Sequence, residues 1–169
     1  MKKQLLHSGW QLTTVGKNDT IPATVPGSVY NDLLNAGRME DPYWRDNEMK
    51  ALALMDEDYR YNTTFDVNAD VLNSERVLLR CEGLDTIADI VLNGEKIASV
   101  CNMHRTWEFD VKDSLKTTGN TLEIVFHSPT KYIKEQDKIC HAGGSDDAMV
   151  GFPNLRKAHC MFGWDWGPR

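Results

Sequence analysis

The sequence predicts an all-β fold, an antiparallel β-sandwich with a few short peripheral helices, and three observations lead there. Several short segments alternate apolar and polar residues with a period of two. The dipeptide Asn93-Gly94 stands between two of them, and helical spacing is confined to stretches outside the run of strands. A doubly wound sheet is excluded, because strands and helices do not alternate along the chain. At 169 residues the chain is long enough to bury a core without disulfides or metal, and residues 1–169 are read as a single β-sandwich domain.

The first helix signal is Ser28, an N-cap ahead of Val29, Tyr30, Leu33 and Leu34 at helical spacing, with Gly37 as the stop. The turn Asp41-Pro42-Tyr43-Trp44-Arg45-Asp46-Asn47-Glu48 leads into a second helix through Met49, Leu52 and Met55, which Asp56-Glu57-Asp58 ends. From Tyr59 the period becomes two: Tyr59, Tyr61, Thr63, Phe65 and Val67 alternate with polar residues, as in a strand with one buried face. Arg76 to Cys81 is a second strand. Thr86 to Leu92 and Lys96 to Val100 flank Asn93-Gly94, whose residues tolerate the positive φ of a type I′ hairpin turn. Trp107, Phe109 and Val111 alternate, as do Leu122, Ile124 and Phe126 after the Gly119-Asn120 turn. Ser128-Pro129 then starts a helix running to about Lys138. Residues 139–153 lack a period and are rich in Gly and Asp, as functional or mobile loops are.

Composition excludes several classes of partner. A net charge of −6, from 25 acidic and 19 basic residues, offers no basic surface to nucleic acid, acidic sugars or anionic membranes. The longest apolar runs are far shorter than a membrane span. Met1-Lys2-Lys3 is not followed by the apolar stretch of a secretory signal, so the compartment stays open. Cys81, Cys101, Cys140 and Cys160 are scattered, and Cys81 shares a strand face with Val77 and Leu79, which points to a buried thiol. The pairs Cys140-His141 and His159-Cys160 match no common zinc spacing, and no metal or cofactor is expected. Asp56-Glu57-Asp58 and Asp146-Asp147 read as solvated turns, and Arg45 with Glu48 as a turn-forming ion pair. No serine or cysteine stands in a nucleophile elbow, so an acyl-transfer triad has no support, and none of these adjacent acids is expected to be catalytic.

Binding chemistry concentrates in Phe162-Gly163-Trp164-Asp165-Trp166-Gly167-Pro168-Arg169. Two indoles flank one carboxylate. The C–H face of a sugar ring lies well on indole, while a carboxylate accepts two neighbouring hydroxyls. One reading is a rigid aromatic turn presenting Asp165 and Trp164 to a carbohydrate, with Trp166 and Arg156 as support. The other is that both tryptophans plug a core and Asp165 caps a turn.

Val25-Pro26-Gly27-Ser28-Val29, Asp41 to Glu48, Gly83-Leu84-Asp85-Thr86-Ile87-Ala88-Asp89 and Leu92-Asn93-Gly94 resemble, in that order, the N-terminal domain of the β-mannosidases of glycoside hydrolase family 2. Asn102-Met103-His104-Arg105, Leu155-Arg156-Lys157-Ala158 and Phe162 to Arg169 extend the likeness over nearly the whole chain. Tyr59, His104 and Thr106 depart from it where Trp, an aromatic residue and Pro are expected, and all three lie on or beside predicted strands. The resemblance implies a jelly-roll sandwich of the galactose-binding-like type, followed in an intact retaining glycosidase by immunoglobulin-like and (β/α)8-barrel domains. It implies two catalytic glutamates on that barrel, and Asp165 reaching into its site to bind hydroxyls of a terminal mannose, with Trp164 beside it. A barrel takes about 250 residues, more than this chain has. The expectation is therefore a fragment of a multidomain glycosidase, with β-mannoside glycan and the later domains as partners. A stand-alone carbohydrate-binding module and a purely structural sandwich are the alternatives.

Overall fold

The computed structural model describes residues 2–143 and 150–163, which form two antiparallel sheets. In chain order the elements are β1 (Gln11–Thr14), β2 (Ile21–Pro22), α1 (Val29–Asn35), α2 (Asn47–Leu54), β3 (Tyr59–Phe65), α3 (Ala69–Leu72), β4 (Leu78–Cys81) and β5 (Ile87–Leu92). They continue with β6 (Glu95–Cys101), β7 (Trp107–Asp110), β8 (Asn120–Phe126) and α4 (Pro129–Ile139). The larger sheet has the order β2-β1-β3-β8-β5-β6, and β4 pairs with β7 in the smaller one. The expected all-β architecture with short helices is what the chain adopts.

Alternation in the sequence becomes burial because successive side chains on a strand point to opposite faces. Register then aligns the apolar members into rows. Leu12, Tyr61, Ile124, Ile90 and Ala98 stand directly opposite one another across five strands, on the face that carries the core. The adjoining row, Gln11, Asn62, Glu123, Val91 and Lys96, faces out. From the smaller sheet Leu79, Cys81, Trp107 and Phe109 close over the inner row, so one core fills the space between the sheets. Burial pushes the Cys81 thiol up to about 11, which keeps it an unreactive apolar group.

Turn and cap chemistry follow the residues read from the sequence. Asn93 and Gly94 have φ of 53° and 84°, as a type I′ turn requires. Ser28 and Ser128 cap α1 and α4, each accepting from the backbone N–H three residues on at 3.2 Å. The hairpin has one irregularity the alternation did not announce. Register shifts between Ile90 and Val91, leaving Ile97 without a directly opposed residue. The bulge turns Lys96 outward, where its Nζ lies 2.9 Å from Asp89 Oδ1, while Ile97 stays packed on the core. Strands β1 and β2 and helix α3 were also not foreseen, being too short to show a period.

Two buried polar groups fix loops to this frame. Asp32, 2% exposed, accepts from Thr24 N at 3.0 Å and from the Tyr61 hydroxyl at 2.9 Å, and it pins the segment before α1 to β3. Asn120 is wholly buried at the start of β8. Its Oδ1 accepts from Lys116 N at 2.8 Å and Asn93 Nδ2 at 3.0 Å, and its Nδ2 donates to Lys116 O at 2.7 Å. Asn93 in turn donates to Ser114 O at 2.7 Å and accepts from Thr121 N at 3.0 Å. This amide pair ties the hairpin turn to the loop before β8. Replacing Asn120 by Ala strands several of these partners, and the expected loss is about 2 to 3 kcal/mol. Urea denaturation should show a lower midpoint with an unchanged slope.

Candidate functional site

Trp164, Asp165 and Trp166 lie outside the described residues, which include Arg156 and end with Phe162 and Gly163. What the structure describes is the platform from which that motif departs. Ile133 on α4, Leu155 and Phe162 are all buried and form a small core of their own, with Ile87, Tyr132 and Phe152 packed around it. The Phe152 ring lies 5.4 Å from that of Phe162 and meets His159 edge-on at 4.9 Å. The chain enters this cluster at Gly151, with φ of 79°, where a Cβ would come within 2.6 Å of Ile133 Cγ2. Only glycine satisfies both the left-handed backbone and the close approach to α4. Residues 139–153, expected to be structureless, thus contain a fixed point, and a 3-10 turn at Phe152–Asn154 follows it.

Three separated motifs converge here. Met103 N donates to Arg156 O at 3.0 Å, Asn102 and Arg156 form a parallel bridge, and Ala158 N lies 3.0 Å from Met103 Sδ. The Asn102 turn is itself held by His104 N on its Oδ1 at 2.9 Å and by Trp107 Nε1 on its carbonyl at 3.1 Å. Arg105 stacks 4.4 Å above the Trp107 ring. Lys157 pairs with Asp85, both side chains mostly buried, and the Thr86 hydroxyl also donates to Asp85. Residues 83–86, 102–105 and 155–158 therefore form one support under Phe162. Arg156 contributes through its main chain, and its side chain is exposed. Lys157 supplies the ionic anchor of this segment. No spacing signal joins Asp85 to a lysine 72 residues away.

A second polar cluster secures α4. The His127 ring bridges two carboxylates, with Nδ1 3.2 Å from Asp58 Oδ2 and Nε2 3.2 Å from Asp89 Oδ2. Asp58 Oδ1 accepts from Ser128 N at 2.9 Å. Burial alone would raise both carboxyls, but hydrogen bonds outweigh it. Ser128 N–H and His127 hold Asp58 down, and Ser99, Lys96 and His127 bring Asp89 to about 2. Retaining glycoside hydrolysis needs one carboxyl with a raised pKa, so this pair has the wrong electrostatics for it. Asp56 is taken up by Thr130 and Lys134, and Glu57 by Lys17 at 2.9 Å. The run Asp56-Glu57-Asp58 is the expected turn, with Asp56 exposed, and through Asp58 it also clamps β3 to α4. Asp146 and Asp147 lie outside the described residues.

Other parts of the surface offer less. An open cleft of about 310 Å³ on the outer sheet face is lined by Gln11, Arg60, Asn62, Thr121 and Glu123 among others. It lacks an aromatic face for a sugar ring. Among the described residues no group of three His, Cys, Asp or Glu is placed to hold a metal ion, and no helix is long and apolar enough to cross a membrane.

The model of the family described as glycosyl hydrolase 2 galactose-binding domain-like matches residues 10–169. The chain belongs to that family. Among relatives of this galactose-binding-like domain is beta-mannosidase of Bos taurus, 32% identical, with 96% of this chain and 19% of the relative covered. Beta-mannosidase A of Emericella nidulans is 36% identical over 94% of this chain and 17% of its own. A crystal structure of the beta-D-mannosidase of Dictyoglomus thermophilum superposes with a TM-score of 0.91 at 37% identity, covering 97% of this chain and 20% of that one. The chain thus spans about a fifth of the length of these relatives.

The His127 cluster gives a definite pH dependence. Both carboxyls lie lower in the folded chain than in the unfolded one, so their contribution is complete above about pH 4. It is lost as pH falls through the folded values, for Asp89 at about 2. Urea midpoints measured from about pH 5 down to 2 should decline, and Asp89→Asn should flatten the decline in that window.

Proposed function

We infer that this chain is the N-terminal accessory domain of a retaining exo-β-mannosidase, in which it recognises the terminal non-reducing mannose and performs no bond cleavage itself. The observation that carries the reading is the support built under Phe162 and Gly163. Three distant segments meet there around the root of the Trp-Asp-Trp motif, and relatives that match nearly the whole chain are beta-mannosidases. A carboxylate that selects among hydroxyls has to be held to within a fraction of an ångström, and a bonded, packed base supplies that stiffness. Asn154 Nδ2, buried with no hydrogen-bond partner among the described residues, favours a platform completed by further polar groups.

In this reading Asp165 accepts hydrogen bonds from hydroxyls remote from the scissile bond, Trp164 packs beside the ring, and Trp166 and Arg156 brace the turn. The two glutamates that act as nucleophile and acid lie on a later barrel domain. Binding energy gathered away from the reacting carbon is available to orient and distort the sugar. Hydrogen bonds to an ionised group are worth about 1.5 to 3 kcal/mol each.

In the intact enzyme, Asp165→Ala should lower kcat/KM for a β-mannoside by about 10- to 100-fold per lost bond, with little change in thermal midpoint. Normal kinetics with a large fall in midpoint would instead make Asp165 a structural turn residue. The 169-residue chain alone should release no aryl alcohol from an aryl β-mannoside above a heat-killed control.

A further inference from the structure

Asn93-Gly94 is the single Asn-Gly dipeptide of the chain. Asparagine is a thermolabile residue, most of all before glycine, whose missing side chain leaves its backbone nitrogen open to attack. The fold cannot dispense with the pair. Leu92 stands opposite Glu95, so these two residues make the whole turn, with φ of 53° and 84°. Gly94 is also exposed, and an added Cβ there would meet nothing within 4 Å.

The turn therefore sets a reactive pair in solvent, and the packing holds its carboxamide elsewhere. Asn93 Nδ2 donates to Ser114 O at 2.7 Å and to Asn120 Oδ1 at 3.0 Å, and Asn93 Oδ1 accepts from Thr121 N at 3.0 Å. The main-chain partners fix which end is which, since Thr121 N can only donate and Ser114 O only accept. Cγ cannot swing back to Gly94 N until all three bonds open.

We propose that Asn93 is a deamidation site that the Asn120 network keeps shut in the folded chain and that an opened turn converts irreversibly. In the reaction Gly94 N bonds to Asn93 Cγ, the Cγ–Nδ2 bond breaks, and ammonia leaves with the Gly94 amide proton. Water then opens the five-membered imide at either carbonyl, giving an aspartyl or an isoaspartyl linkage. Neither product fits the site. One carboxylate oxygen can keep the bond from Thr121 N, but the other faces two acceptors, Ser114 O and Asn120 Oδ1. Turning the Asn120 amide over would set its oxygen against Lys116 O and Phe65 O and leave Lys116 N without its acceptor. The isoaspartyl linkage adds a main-chain atom to a two-residue turn and spoils the Leu92–Glu95 pairing. A chain whose turn has once reacted is thus marked as unable to close it again.

The test incubates the intact protein in warm, mildly alkaline buffer, folded and in urea above the unfolding transition, and follows residue 93 by peptide mapping with mass spectrometry. Three hydrogen bonds, each worth roughly a factor of two to ten, should slow the folded chain at least about tenfold. Asn120→Ala, in the folded state, should react about threefold faster than wild type or more. Exchange of the Thr121 amide reports the same opening without any substitution, and low urea should speed exchange and deamidation by the same factor. Asp-Gly suits a type I′ turn as well as Asn-Gly does. Asn93→Asp should nonetheless lower the urea midpoint, because the network and not the turn is broken. Equal rates in folded and unfolded chains, or deamidation while Thr121 stays protected, would overturn the proposal, and an Asn93→Asp chain as stable as wild type would overturn its irreversible step.

Discussion

The pairing of β3 with β8, seven residues against seven from Tyr59↔Phe126 to Phe65↔Asn120, is the constraint on which the other parts hang. It occupies the middle of the larger sheet, with β1 bonded to one side and β5 to the other. A register slip of one residue would turn one strand over, taking Tyr61 or Ile124 outward and setting Arg60 or Glu123 against the core. Both ends of the pairing are therefore fastened. Asn120 closes one end through the loop before β8, and Asp58, one residue before β3, closes the other through His127 and Ser128.

The second fastening transmits the sheet to the platform. β8 runs directly into α4, whose direction is set by its capping serine and by Asp58, and Ile133 on α4 then receives Leu155 and Phe162. Across the platform, Lys157 and Asp85 form an ion pair whose side chains are mostly buried. Such a pair is costly to break from one side only, since the survivor would remain unpaired. Residues 151–162 are thus located from two directions, by apolar packing against α4 and by main-chain and ionic bonds to the loops of residues 83–86 and 102–105.

Much of this frame was legible in the residues because period and turn chemistry act locally. Alternation from Tyr59, the Asn93-Gly94 turn, and the Ser28 and Ser128 caps each depend on neighbours within a few positions. Strands β1 and β2, with four and two residues, are defined by what they pair with, and no local pattern marks them. The bulge at Ile97 is likewise a compromise between two strands. At the platform the motif residues could be noted one by one. That Lys157 meets Asp85, that Arg156 acts through its carbonyl, and that Gly151 is required by a methyl group on α4 are facts of three-dimensional proximity. Asp58 illustrates the limit best, since in sequence it is one of three consecutive acids and in space it is the one turned inward to a histidine.

The larger sheet ends in two unlike edges, and neither is a good template for another strand. On one side β2 is two residues long and half of it is Pro22, which has no N–H to donate. On the other, β6 is kinked by its bulge and carries Lys96. Regular edges invite the strand-by-strand addition that underlies aggregation and domain exchange. Blunting both leaves the larger sheet no regular rim along which a further chain could be added.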